Sequence, residues 1–156
     1  MAIEKVKDYF KAFGYETKVI EFDVSSATVD LAAQALNIEG KRIAKTLAFR
    51  FLDQTLLIVM AGDAKIDNSK FKAHFNLKAR MLDYDETEEK VGHAVGGVCP
   101  FAINENCVVT LDVSLKRFET VYPACGSAQS AIELSIEELE KFSNSTQWVD
   151  VCKEWD

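Results

Sequence analysis

Residues 95–101, Val-Gly-Gly-Val-Cys-Pro-Phe, put two glycines, a cysteine and a proline into seven positions, an order that suits neither helix nor strand. Glycines permit positive φ and close approach to the main chain, and a proline freezes the geometry beside them. A loop of this make-up can present N–H and C=O groups at fixed points with few bulky side chains in the way. Such groups suit a reaction that builds charge on a carbonyl oxygen, as ester hydrolysis does. A donor aimed at that oxygen is typically worth ~3 kcal/mol. A tight helix-to-strand connection would use the same residue types, so spacing alone leaves both readings open.

Lys45 opens a second line of chemistry. It stands at the start of the apolar run 44–51, where its ammonium could bind a phosphate or polarise a carbonyl, or simply keep an edge strand soluble. Ser25, Ser26 and Ser127 are candidate nucleophiles, yet none lies in G-x-S-x-G, and His74 and His93 are the only histidines available as bases. His74 falls in a helical pattern, whereas His93 immediately precedes the glycine loop. Cys99 lies inside that loop, where only Lys45 or His93 across a pocket could lower its pKa. It therefore reads as a small pocket-lining residue, with the main chain carrying the function. Asp112 reads as a strand-end cap. Cys99, Cys107, Cys125 and Cys152 show no C-x-x-C spacing, and a zinc site from Cys99, Cys107 and His93 has poor ligand spacing. No metal or cofactor is expected.

The elements that must position these groups follow from periodicity. Ile3, Val6, Phe10 and Phe13 predict a helix over 2–13 with Gly14 as its stop. Residues 17–22 alternate as a strand, and Ser26 or Thr28 caps an alanine-rich helix through about Leu36. Strands 44–51 and 55–61 flank a hairpin turn. Asp67 or Ser69 opens a helix carrying Phe71 and Phe75, and 78–82 reads as a further strand. Asp85 and Glu88 look like a capping box for a helix that Gly92 ends. Strands are predicted at 107–113, 119–124, 130–135 and 147–151, with a short helix starting at Ser135-x-x-Glu138. Helices interleaved with a hairpin and a late run of strands favour an α/β (α+β) fold with a mixed, barrel-like sheet surrounded by helices.

With 156 residues and 48% hydrophobic content, the chain reads as one domain over 1–156. Its longest apolar stretch, 56–61, is far too short to span a bilayer, and the N-terminus has no secretory pattern, so a cytoplasmic protein with free thiols is expected. A net charge of −7 argues against a general nucleic-acid coat, although bases concentrate at 41–50 and 65–80 while acids crowd into 83–89 and 133–140. That asymmetry suits one phosphate-facing side on an acidic body, and it equally suits ordinary solvated surface.

Three stretches together resemble the YbaK/prolyl-tRNA editing family of aminoacyl-tRNA deacylases. They are 25–50, where a helix leads into a strand bearing Lys45-Thr46-Leu47; the G-x-x-x-P loop Gly96–Pro100 with Phe101; and Cys125-Gly126-Ser127 running on to Ile132-Glu133-Leu134. The resemblance implies a compact α/β domain with a pocket for the 3′ end of aminoacyl-tRNA, from which it removes a wrong, small amino acid (Cys or Ala on tRNA(Pro)). It implies catalytic roles for Lys45, Gly96, Gly97 and Ser127, acting through oriented water or substrate groups rather than a protein nucleophile. It places Phe22, Ser26, Thr28, Val98, Cys99, Pro100 and Gly126 around the substrate. Many relatives carry His or Asp just before the Ile-Glu-Leu strand, where this chain has Ser130 and Ala131, which leaves the amino acid open. A non-catalytic module that holds a tRNA end or a nucleotide beside an aminoacyl-tRNA synthetase is the alternative.

Overall fold

Capping chemistry written into the sequence sets the helices. The computed structural model describes residues 2–155. Helix α1 (Ala2–Lys11) buries Val6 and Phe10 and stops short of Phe13, after which Gly14 turns the chain at φ +76°. Helix α2 (Val29–Leu36) is capped by Thr28, whose hydroxyl accepts from the Leu31 N–H at 3.1 Å, and Asn37 closes it in the left-handed region. Asp67 caps α3 (Asn68–Phe75) through the Ser69 and Lys70 N–H groups. Helix α4 (Tyr84–Val91) begins with a capping box of Asp83 and Glu86 rather than Asp85 and Glu88. Both pairs have the right spacing, but burial of Leu82, Thr87 and Val91 fixes the chain's entry two residues earlier. Helix α5 (Ile136–Ser143) carries the expected box of Ser135 and Glu138.

The strands are β1 (Ile20–Glu21), β2 (Ile43–Phe51), β3 (Gln54–Ala61), β4 (Lys65–Ile66), β5 (Cys107–Asp112), β6 (Thr120–Pro123), β7 (Ser130–Ala131), β8 (Leu134–Ser135), β9 (Gln147–Val149) and β10 (Cys152–Lys153). Six of them form one sheet in the order β8-β6-β2-β3-β5-β9, with β1-β7 and β10-β4 as two-stranded additions. The β2-β3 hairpin is antiparallel, and β2-β6, β3-β5 and β5-β9 are parallel, so the sheet is mixed. It curls into a half-barrel with the five helices around it, as the sequence predicted. Residues 55–61 of β3 are buried without alternation, because β3 lies in the middle of the sheet and is covered on both faces.

The short strands depart from expectation. Residues 17–22 give a turn of 3-10 helix at Glu16–Lys18 and only the two-residue β1. The run 130–135 divides into β7, which pairs with β1, and β8, which pairs with β6. Between them the Ile132 N–H turns to the Pro123 carbonyl at 3.0 Å and the Ile132 side chain enters the core. The predicted strand at 78–82 survives as a single bridge between Met81 and Phe49. Residues 65–66, for which no strand was predicted, pair with β10. No described helix is long and apolar enough to cross a membrane.

The box at α4 separates two neighbouring acids. Asp83→Ala should cost ~1 kcal/mol in urea unfolding, and Asp85→Ala only ~0.3 kcal/mol from the helix dipole. Equal losses would contradict the assigned cap.

Candidate active site

Strand β2 is paired with β3 from Ala44 to Phe51, but its other edge is interrupted. There β6 pairs only at Ile43 and Ala44. The segment 80–82 takes over at Ala48–Arg50, through Leu82 N–H to Ala48 O at 3.0 Å and Arg50 N–H to Arg80 O at 2.8 Å. Residues 45–47 are left without a strand neighbour on that side, and a cavity of about 320 Å³ opens against them. Ala48 and Arg50 direct their main-chain groups to this edge, and the two-residue alternation of a strand therefore turns the Thr46 N–H and C=O there as well.

The wall is largely apolar, with Ala32, Ile43, Ala44, Ala48, Leu82, Val98, Ala124 and Ala131, and it includes Ser26, Thr28, Val29 and Thr46. Val95 and Met81 line it too and are exposed. Lys45 is its charged side chain, and no carboxylate lines it among the described residues. The Ser26 and Thr46 hydroxyls are buried and have no hydrogen-bond partner among the described residues. A buried polar group left in that condition costs ~1–3 kcal/mol.

The glycine loop owes its shape to main-chain contacts. Ala94–Gly97 is a turn in which the Gly97 N–H donates to the Ala94 carbonyl at 3.0 Å, and Gly96 takes the third position at φ +98°, as a type II turn requires. Gly96 lies on the cavity wall. Gly97 lies behind it, where its carbonyl accepts from the Gly126 N–H at 3.0 Å. A Cβ on Gly97 would stand 2.5 Å from the Ser127 nitrogen, so the two glycine turns touch backbone to backbone. The Ser127 hydroxyl donates to Ser130 Oγ at 2.9 Å, and Ser130 is the member of that pair on the cavity wall.

Lys45 donates to the Gly62 carbonyl at 3.4 Å. Burial lowers its ammonium pKa, opposed by the neighbouring Cys152 sulfur and by the Asp63 carboxylate. Asp63 is itself gripped by Arg117 at 2.6 and 3.0 Å, which holds its carboxyl below the usual range. The Gly62 carbonyl reaches Lys45 because Gly62 packs on Gly40, whose carbonyl oxygen a Cβ would meet at 2.0 Å.

Of the residues singled out by sequence, the structure brings Lys45, Gly96, Ser26, Thr28 and Val98 to one cavity. Phe22, Gly97, Cys99, Pro100, Gly126 and Ser127 are not on its wall. Phe22 and Ser26 fasten the segment before α2 to 128–129 through main-chain bonds. Cys99 is fully buried beside His93, its sulfur 3.5 Å from Nε2, and burial pushes its thiol up to about 12. His93 Nε2 sits 2.7 Å from the Phe101 carbonyl, and its pKa is lowered by burial. His74 bonds Gln147 elsewhere on the protein. Among the described residues no three His, Cys, Asp or Glu side chains are grouped to hold a metal ion. Thr46 and Tyr122 are wall residues that sequence reasoning did not single out, and Ser130 and Ala131, the positions where many relatives carry His or Asp, are on the wall as well. A lone threonine between Ala44 and Ala48 in an apolar strand was the available signal for the first.

Comparison with known proteins agrees with this fold. The model of the aminoacyl-tRNA editing domain matches residues 24–142. The Bacillus subtilis (strain 168) protein YwhH, itself uncharacterized, is 53% identical over the full length of both chains. The proline--tRNA ligase of Kosmotoga olearia is 27% identical over 90 residues, 57% of this chain and 16% of the ligase. A solved structure named for a suggested role as a trans-editing enzyme for prolyl tRNA synthetase superposes with a TM-score of 0.87 at 26% identity, covering 97% of each chain.

The buried thiols make an alkaline prediction. Cys99, Cys125 and Cys152 all titrate above their ordinary value because burial disfavours the thiolate. Their folded pKa exceeds the unfolded one, so their contribution to stability is complete below about pH 9 and is lost as pH rises above it. Urea unfolding should show stability falling by up to ~1.4 kcal/mol per pH unit for each such thiol. Cys99→Ala should flatten that slope between pH 9 and 11, and an unchanged slope would contradict the burial of Cys99.

Proposed function

The chain belongs to the aminoacyl-tRNA editing domain family, and from that premise we propose that it hydrolyses the ester of a mischarged aminoacyl-tRNA, releasing a small amino acid from tRNA(Pro). The observation that carries the reading is the cavity at the open edge of β2, with Lys45 as its charged side chain and the Gly96 turn beside it. An aminoacyl ester is already activated, so positioning and charge stabilisation suffice without a protein nucleophile.

In this reading Lys45 meets the terminal phosphate or polarises the ester carbonyl, and burial strengthens its field by removing competing water. The main chain at Gly96 and Thr46 borders the carbonyl and the amino acid. A water oxygen bonds the ester carbon, the bond to the ribose oxygen breaks, and that oxygen leaves with the proton. Ser130, held by Ser127, helps to place the water. Gly97 and Gly126 keep the two turns in register, and Thr28, Val98 and Phe22 with its neighbours shape the approach. Cys99 takes no part as a nucleophile, since a fully buried thiol titrating near pH 12 stays protonated at neutral pH. Larger amino acids are kept out by size, at ~1–3 kcal/mol per methylene.

Deacylation of Ala-, Cys-, Ser- and Pro-tRNA(Pro) by the purified protein tests this. One or more mischarged species should be cleaved, and Lys45→Ala should lower kcat/KM by ~100-fold or more. Full activity in that variant would remove Lys45 from the chemistry. Absence of cleavage by the folded wild type would overturn the hydrolase reading in favour of a module that only binds a tRNA end.

A further inference from the structure

We propose that Arg117 keeps Lys45 available to the substrate by holding the Asp63 carboxylate away from it. Asp63 and Arg117 are then positioning residues, which act through Lys45 rather than on the ester. The inference rests on the editing reading above, because it takes Lys45 as the group the substrate meets.

The turn after β3 offers Lys45 two acceptors in succession. The first is the Gly62 carbonyl, 3.4 Å from Nζ. The next residue is Asp63, whose carboxylate is near enough to favour the charged lysine. A carbonyl at that distance holds an ammonium loosely and lets it turn to a better partner. A carboxylate in close contact holds it about twice as strongly and cancels its field. Other charges act on the same lysine. The Cys152 sulfur of β10 faces it, but burial and Asp112 keep that thiol protonated, and Lys65 of β4 opposes the ammonium. Lys41 faces Asp63 and pairs with Glu39 at 3.6 Å.

A built arrangement stops Asp63 from closing on the lysine. Arg117 takes both of its oxygens, at 2.6 and 3.0 Å, in the two-pronged geometry of a guanidinium on a carboxylate. Of the ion pairs among the described residues, this is the one in which both side chains are less than a third exposed, at 16% and 28%. The guanidinium is held in its turn. Its Nε donates to the Ser114 carbonyl at 2.9 Å, and its carbon lies 4.7 and 4.8 Å from the ring centroids of Phe118 and Trp155. The turn itself has two other ties. The Ala61 N–H donates to the Ser114 hydroxyl at 3.1 Å, and the Ala64 N–H donates to the Ala61 carbonyl at 3.0 Å. With the shape of the turn supported in those ways, the distinct effect of the Arg117 fork is on charge.

The test reads Lys45 itself. Lysines are isotope-labelled at Cε, the Lys45 signal is identified by its loss in Lys45→Arg, and its titration is followed by NMR. Wild type, Asp63→Asn, Arg117→Met and the double variant are compared. Arg117→Met should move the midpoint to higher pH, because the freed carboxylate then pairs with the ammonium. Asp63→Asn should move it to lower pH, and in that background Arg117→Met should no longer raise it. Deacylation measured in parallel should fall ~10-fold in kcat/KM in Arg117→Met, and the double variant should return to within ~2-fold of Asp63→Asn. An unmoved midpoint in Asp63→Asn would overturn the proposal. So would a loss of activity in Arg117→Met that Asp63→Asn does not relieve, which is the result a purely structural arginine gives. Asp63→Asn leaves the Arg117 stack in place, so its result stands even where Arg117→Met unfolds the protein. If the wild type cleaves no ester, the editing reading fails, and the titrations still decide whether Arg117 and Asp63 set the state of Lys45.

Discussion

Three residues of β2 have a strand on one side and none on the other. A sheet edge inside a folded protein leaves main-chain groups that must find a partner or water, and here β6 and the segment 80–82 supply partners on either side of the gap but not within it. The gap exists because β6 ends at Pro123, after which the chain leaves for the Gly126 turn. That turn docks on the Gly97 carbonyl, so the same departure that opens the edge also anchors the glycine loop that walls it. The cavity is a consequence of where strands stop.

Charge is distributed to suit. The protein is acidic as a whole, yet the cavity wall carries one ammonium and, among the described residues, no carboxylate. Asp63 is close enough to favour the charged form of Lys45 but is committed to Arg117, which keeps it from neutralising the lysine in a close pair. The thiols that might have offered covalent chemistry are silenced by burial. What the wall offers is position and field.

The helices were legible because their signals are local. Thr28, Asp67 and Ser135 each cap a helix that begins at the very next residue, and only at α4 did two overlapping acid pairs compete. The long hairpin was equally plain from its apolar runs. The short strands were not, because β1 and β7 owe their existence to each other across more than a hundred residues of chain, and no local pattern encodes that. In the site, Lys45 and Gly96 stood out by type. Gly97 and Cys99 are sequence neighbours of wall residues but lie off the wall themselves, Ser127 lies three residues from the nearest one, and a loop has no fixed alternation from which to tell this. Thr46 was passed over because an unpaired hydroxyl is a property of the folded surroundings and not of the residue type.

Ala44, Ala48, Ala124 and Ala131 all face the cavity, and their methyl groups make no hydrogen bond that a replacement would break. Ala44 and Ala48 also pack into the main core, whereas Ala124 and Ala131 stand outside it and can be enlarged by one or two carbons toward the open space. Lineages that keep the lysine and the glycine turns can therefore drift in the size of residue they accept while their chemistry stays intact. An alanine lining is a dial, and the fold leaves it free to turn.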